Sequence, residues 1–209
     1  MMRLDAELTG DLVKEDEDRL LAAFEDCIAA ENPGLVVMGD YNKGVLTENV
    51  ISRIIALCKQ NTIITAVDPK RKNFFAYTGV DIFKPNLKEA KEGLNIISDE
   101  VNLELLKSIH LSLQEKLQHN ISFITLSEKG VFYEEKNNAV ILPTHIRNVA
   151  DVSGAGDTVI AVASLVYAAT KDVKLMAEIA NIAGGLVCEE VGTVAIDKEK
   201  LLSECKELL

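Results

Sequence analysis

The chain has 209 residues, enough for one large domain or two small ones and for a substantial buried core. Hydrophobic residues make up 48% and charged residues 26%, the balance of a soluble globular protein rather than of a disordered or membrane-embedded one. The formal net charge is -11, from 22 basic and 33 acidic residues; such a field repels phosphate backbones, disfavours nucleic acid as a partner and demands a local basic patch for any phosphorylated ligand.

In chain order, "MMRLDAELTGD" has no apolar signal core, and no later apolar run reaches membrane-spanning length, so a cytoplasmic protein is expected. Residues 15–31 place Leu20, Leu21, Phe24 and Ile28 at helical spacing. "GLVVMGDY" is a short apolar run closing on Gly39-Asp40, the pattern of a buried strand and a loop. "TENVISRIIALCKQ" is helical with Thr47 as N-cap. "TIITAVDPK" and "VDIFKPN" are further strands, ending at Asp68-Pro69 and Pro85-Asn86. "LKEAKEGLNI" and "NLELLKSIHLSLQEKLQ" are helices, and "ISFITLSEKGV" is a strand with a glycine turn. "VFYEEKNNAVILP" alternates around Asn137-Asn138, which predicts a hairpin. Three helical stretches close the chain: 157–170, "VKLMAEIANIAGGLVCEEV" and "DKEKLLSECKELL".

Strands that alternate with helices and are apolar throughout are expected to be covered on both faces. The fold class is therefore α/β: a doubly wound, mostly parallel sheet with helices on both faces, formed by residues 1–209 as a single domain. Function in such sheets collects at the carboxyl ends of the strands, which here carry Asp40, Asp68, Asn86 and Ser127. Cys27, Cys58, Cys188 and Cys205 lack metal-ligand spacing and read as reduced core thiols. His110, His119 and His145 show no ligand spacing and read as surface or packing residues.

The stretch "DVSGAGDTVIA", residues 151–161, carries the chemistry. Small residues before a helix expose unpaired backbone N–H groups at its positive end, where a phosphate can approach. Gly154, Ala155 and Gly156 supply that access, and Asp157 in the first turn is placed to take a proton. The same residues also suit a plain tight turn with an acid on the helix dipole. The chain has no G-x-x-x-x-G-K-[ST], which excludes a P-loop, and no G-x-G-x-x-G after its first strand, which disfavours a dinucleotide fold.

"DVSGAGDT" resembles the C-terminal signature of the ribokinase-like (PfkB) carbohydrate kinases. "KPNLKE" resembles that family's Asn-x-x-Glu element, "TLSEKGV" its nucleotide-site strand and turn, and "NIAGGLVCEEVGT" the helix and loop that close over the nucleotide. "RLD", "GDYNKG", "DPKRKNF" and "GAGDTVIA" together resemble the kinase domain of the bifunctional heptose-phosphate kinases. This resemblance implies ATP-dependent phosphorylation of D-glycero-D-manno-heptose 7-phosphate at its anomeric hydroxyl, for ADP-heptose and lipopolysaccharide synthesis. It covers nearly all of this chain but only the later part of the family's kinase domain. A ribokinase-like fold truncated at its N-terminus, with weak nucleotide binding and little turnover alone, is therefore expected.

The resemblance also implies roles. Asp157 would be the general base and Gly154, Ala155 and Gly156 the anion hole. Asn86 and Glu89 would position Mg²⁺, and an alternative reading makes them the cap of the following helix. Asp151 and Ser153 align with a potassium site. Ser127, Lys129 and Gly130 would line the phosphate and ribose edge of ATP, and Asn181, beside Gly184-Gly185, the adenine. Asp40, Lys43 and Lys70 would face the sugar phosphate. The partners implied are ATP and a sugar phosphate, with no nucleic acid or membrane, in a homo-oligomer. A different ribokinase-like sugar kinase and a non-catalytic nucleotide-binding module are the alternatives.

Overall fold

The computed structural model describes residues 9–145 and 147–209. The Arg3-Leu4-Asp5 element of the sequence reading lies outside these. The described chain forms one six-stranded sheet in sequential order: β1 (Leu35–Gly39), β2 (Ile64–Asp68), β3 (Ile82–Phe83), β4 (Ile121–Thr125), β5 (Val131–Glu135) and β6 (Asn138–Leu142). The first four strands are parallel, and β5 and β6 run antiparallel. The helices are α1 (Lys14–Glu31), α2 (Glu48–Gln60), α3 (Leu87–Leu94), α4 (Leu103–Leu117), α5 (Ala155–Thr170), α6 (Val173–Val187) and α7 (Lys198–Leu208).

Successive side chains of a strand point to opposite faces, and this alternation divides the interior into two cores. Val67, Phe83, Ile124 and Phe132 pack against α1, α2 and α4 on one face. Ala66, Ile82, Phe123 and Tyr133 pack against α5 and α6 on the other. Both faces are covered, as the apolar strands predict. The means differ from a strand order that reverses: the crossovers α2, α3 and α4 share one face, and the second face is closed by the helices that follow the sheet. In strand order β1 is an outer strand, bonded to β2 alone in the sheet. Val37 of this strand is 41% exposed and Leu165 of α5 is 65% exposed.

Local chemistry fixes most boundaries. Thr47 caps α2 by accepting from the Val50 N–H at 3.2 Å. Its hydroxyl also donates to buried Glu17, which accepts from Asn49 Nδ2 at 2.7 Å and so ties α1 to the start of α2. The hairpin turn falls on Lys136-Asn137, one residue earlier than the sequence suggests. Both have positive φ, 48° and 67°, as a two-residue type I′ turn requires, and this leaves Asn138 to pair with Glu135. Strand β3 has only two residues, because Pro85 carries no N–H to extend the ladder.

Of the four free cysteines only Cys58 is buried; Cys27 is exposed and Cys188 and Cys205 are half-buried, so the reading of all as core thiols is corrected. Among the described residues no helix is long and apolar enough to cross a membrane.

Candidate active site

Helix α5 starts where the sequence places it. Gly154 is its N-cap with φ 79°, a left-handed conformation that glycine adopts without strain. A Cβ there would also lie 2.7 Å from Thr193 Cγ2, so glycine is required twice over. Gly156 faces the sheet, and a Cβ built on it would lie 3.7 Å from Asp68 Oδ2 and 3.9 Å from Lys84 Nζ. The hinge therefore opens directly onto the carboxyl ends of β2 and β3. Asp157 is exposed in the first turn, and the Tyr41 hydroxyl donates to its Oδ1 at 2.9 Å.

Below the hinge lies a chain of ion pairs. Lys84, almost fully buried, pairs with Asp68 Oδ2 at 3.2 Å. Lys70 bridges Asp68 Oδ1 at 3.1 Å and Glu89 Oε1 at 2.8 Å. Burial disfavours the Lys70 ammonium, but its bonds to Glu89 and Asp68 outweigh this and hold its pKa above the usual lysine value. Asp68 and Glu89 balance the two lysines, so the cluster is formally neutral; it places two cations beside the positive end of α5 in a chain of net charge -11. Sequence pattern singled out Lys70 but not Lys84. The available signal is a lysine closing an apolar strand in "DIFK", where the backbone carries it inward.

A cavity of about 740 Å³ runs from these residues along α5 and α6; Asp68, Lys70, Lys84, Asn86, Ser127, Gly130, Asn181 and the Gly184-Gly185 pair line it. A groove of similar size, about 790 Å³, lies between α2 and α3 but holds no hinge residue, so chemistry and not size locates the site. Gly184 allows close helix packing, since a Cβ would meet Val159 Cγ2 at 2.6 Å, and Gly185 makes room for Arg147 at 2.7 Å. Arg147 is clamped by Glu189 at 3.0 Å and Glu204 at 2.6 Å. Asn181 donates to the Pro143 carbonyl at 2.9 Å.

Asn86 lines the cavity and Glu89 the groove between α2 and α3, and Asp40, Lys43, Lys129, Asp151 and Ser153 stand apart from both. Asn86 and Glu89 form a complete capping box on α3, each side chain bonding the other's backbone N–H at 2.8 Å. Asp151 holds its own turn, accepting from the Ser153 N–H at 3.0 Å, the Ser153 hydroxyl at 2.8 Å and the Gly192 N–H at 3.1 Å. These donors, the Ser153 N–H foremost, hold its carboxyl below the usual range. Asp40 is buried, with Oδ1 accepting from the Asn42 N–H and Oδ2 from the Tyr77 hydroxyl, both at 2.8 Å, so it builds its loop and does not face the cavity. Lys129 and Lys43 do not line the cavity, and Lys43 is exposed on the loop after β1. His145, read from sequence as a surface or packing residue, is a cavity residue. His110 and His119 are buried, as a packing role predicts.

Comparisons with known proteins identify the family and the fold. The model of the pfkB family carbohydrate kinases matches residues 9–200. The chain is 36% identical over 205 residues to the bifunctional protein HldE of Aliarcobacter butzleri, covering 96% of this chain and 41% of that protein. It is 34% identical over 208 residues to the protein of the same name from Sulfurimonas denitrificans, covering 99% and 42%. It thus spans about two fifths of the length of these curated relatives. Phosphofructokinase-2 from Escherichia coli, solved in complex with potassium, superimposes with a TM-score of 0.79 at 16% identity, over 92% of this chain and 62% of that one. Ribokinase from Arabidopsis thaliana, solved with ribose and ATP, gives 0.72 at 16% identity, over 92% and 59%. The fold is ribokinase-like, and the chain belongs to the pfkB family of carbohydrate kinases.

Proposed function

We propose that this chain carries the ATP site and the general base of a sugar-phosphate kinase, acting on D-glycero-D-manno-heptose 7-phosphate at its anomeric hydroxyl. One observation carries the reading: the Gly154–Gly156 hinge opens onto the Asp68–Lys84 pair with Asp157 on its rim. The heptose assignment rests on the resemblance to the HldE proteins.

In the reaction the acceptor oxygen forms a bond to the γ-phosphorus as the bond to the β–γ bridging oxygen breaks, and ADP leaves. Asp157 takes the acceptor's proton. The N–H groups at the start of α5 receive the charge developing on the phosphoryl oxygens, with Lys84 and Lys70 close by. Ser127, Gly130 and Asn181 line the nucleotide's course along the cavity.

Magnesium fits the residues present. Among the described residues no group of three or more His, Cys, Asp or Glu is placed to hold a metal, so the ion would depend on phosphates and water. Each Glu89 oxygen accepts one hydrogen bond and keeps a lone pair for a metal-bound water. Magnesium there would neutralise phosphate charge. The potassium site fits less well, because Asp151 Oδ1 already accepts from two donors. The exposed Val37 of β1 and Leu165 of α5 support a homo-oligomer, testable by sedimentation.

The test is calorimetry of this chain with Mg²⁺ and a non-hydrolysable ATP analogue, followed by ADP release with the heptose phosphate for the full-length protein and its Asp157→Asn variant. One nucleotide bound, with turnover lost in the variant, is expected. Nucleotide binding without turnover in the full-length protein favours a binding module, and absent binding there overturns the reading.

A further inference from the structure

The loop after β1 is built to aim one side chain. Buried Asp40 spends both carboxylate oxygens on it: Oδ1 takes the Asn42 N–H and Oδ2 the hydroxyl of fully buried Tyr77. The Asp40 N–H in turn donates to the Asp68 carbonyl at 3.1 Å, which fixes the loop to the end of β2. Between these anchors Tyr41 leaves the loop with its ring against Gly39, where a Cβ would lie 3.5 Å from Cε2. Its hydroxyl then reaches across 116 residues of sequence to Asp157 Oδ1 at 2.9 Å.

We infer that Tyr41 is a positioning residue for Asp157: it holds Oδ1 and so presents Oδ2 to the acceptor hydroxyl. This rests on the proposed role of Asp157 as base. An exposed aspartate in the first turn of a helix otherwise samples several rotamers, and only some aim at a hydroxyl lying at the hinge. The ring is 60% exposed and contributes little to the core, so stability does not account for the contact. The groups acting on the phenol are Asp157 first, then Asp68 and Lys70; the hydrogen bond to Asp157 raises its pKa above the ordinary tyrosine value.

The contact is tested without any activity. The chain has four tyrosines and no tryptophan, so phenol ionisation is read directly by ultraviolet absorbance. The difference between wild type and Tyr41→Phe isolates Tyr41. Its titration is expected above the ordinary value in the wild type and lower in Asp157→Asn. Turnover then tests the role. Tyr41→Phe is expected to lower kcat about tenfold, the loss of one oriented hydrogen bond to a charged group, with KM for ATP within about twofold. Tyr167→Phe, on the far part of α5, is the control and leaves kcat unchanged. A Tyr41 phenol that ignores Asp157→Asn overturns the contact. A Tyr41→Phe variant with wild-type kcat overturns the role. A phenol that responds to Asp157→Asn in a chain that binds nucleotide but turns over no sugar overturns the base reading, and Tyr41's role with it, while the contact stands.

Discussion

Two polar clusters sit at opposite ends of the same sheet, and they are built on opposite rules. At the carboxyl ends of the strands, Asp68, Glu89, Lys70 and Lys84 keep their charges in a continuous chain of ion pairs beside an open cavity. At the amino end of β4, Ser122, His110, His119 and Glu134 are each no more than 3% exposed. There the Ser122 hydroxyl meets His110 Nδ1 at 2.8 Å and His119 Nε2 at 2.6 Å, and His110 Nε2 faces Glu134 Oε1 at 3.9 Å. A serine has one proton to donate and accepts the other bond, so one imidazole must give a proton and the other receive one. Burial lowers the pKa of both histidines, that of His119 to about 3 with help from His110, and raises that of Glu134. His119 Nδ1 and Glu134 Oε2 have no hydrogen-bond partner there. In the sealed cluster burial works against every charge; the open one holds charges that a phosphate can rearrange.

The sharpest break in this comparison comes from the open end. Asp157→Asn is expected to lower kcat by about a hundredfold or more, the usual share of a general base, with nucleotide binding retained by calorimetry. Lys84→Met leaves Asp68 Oδ2 buried without its partner and is expected to lower unfolding free energy by about 3 kcal/mol, read by urea denaturation. Gly154→Ala forces a β-carbon into a left-handed φ and against Thr193; a loss of about 2 kcal/mol and weaker ATP binding are expected in the same assays. The sealed end is probed by pH. Unfolded, His119 titrates near the ordinary value of about 6.5, and folded near about 3, so below 6.5 the unfolded chain binds the extra proton. Stability is fully present above that pH and falls by about 1.4 kcal/mol per unit below it on account of this residue alone. Thermal melts of His119→Gln between pH 7 and 5 are expected to show a shallower acid slope than the wild type. An equal slope would mean that His119 is not held neutral by its burial.

What a residue contributes by itself was legible in the sequence. Helical spacing marked α1 through Leu21 and Ile28, and "DVSGAGDT" marked the α5 hinge, because glycine before an apolar helix is a local matter of φ and exposed N–H groups. The Asn86–Glu89 pair was legible in both senses, and the capping box is the one its backbone fulfils. Less local features did not show. Asp40 reads as a cleft acid, yet its carboxylate is taken by Tyr77, 37 residues away. The hairpin centre moved to Lys136-Asn137 because the turn type depends on the register of two strands.

By itself, the sequence determined an α/β sheet covered on both faces and the position of the α5 hinge, since periodicity and small-residue turns act over a few residues; the kinase family was legible only through the resemblance of its motifs. Tertiary structure alone decided that Lys84 is buried under the hinge, that His110 and His119 share one serine and that Tyr41 reaches Asp157. Each of these depends on which strand ends lie side by side, and the strength of a charge or a hydrogen bond is set by the neighbours and the burial that packing brings.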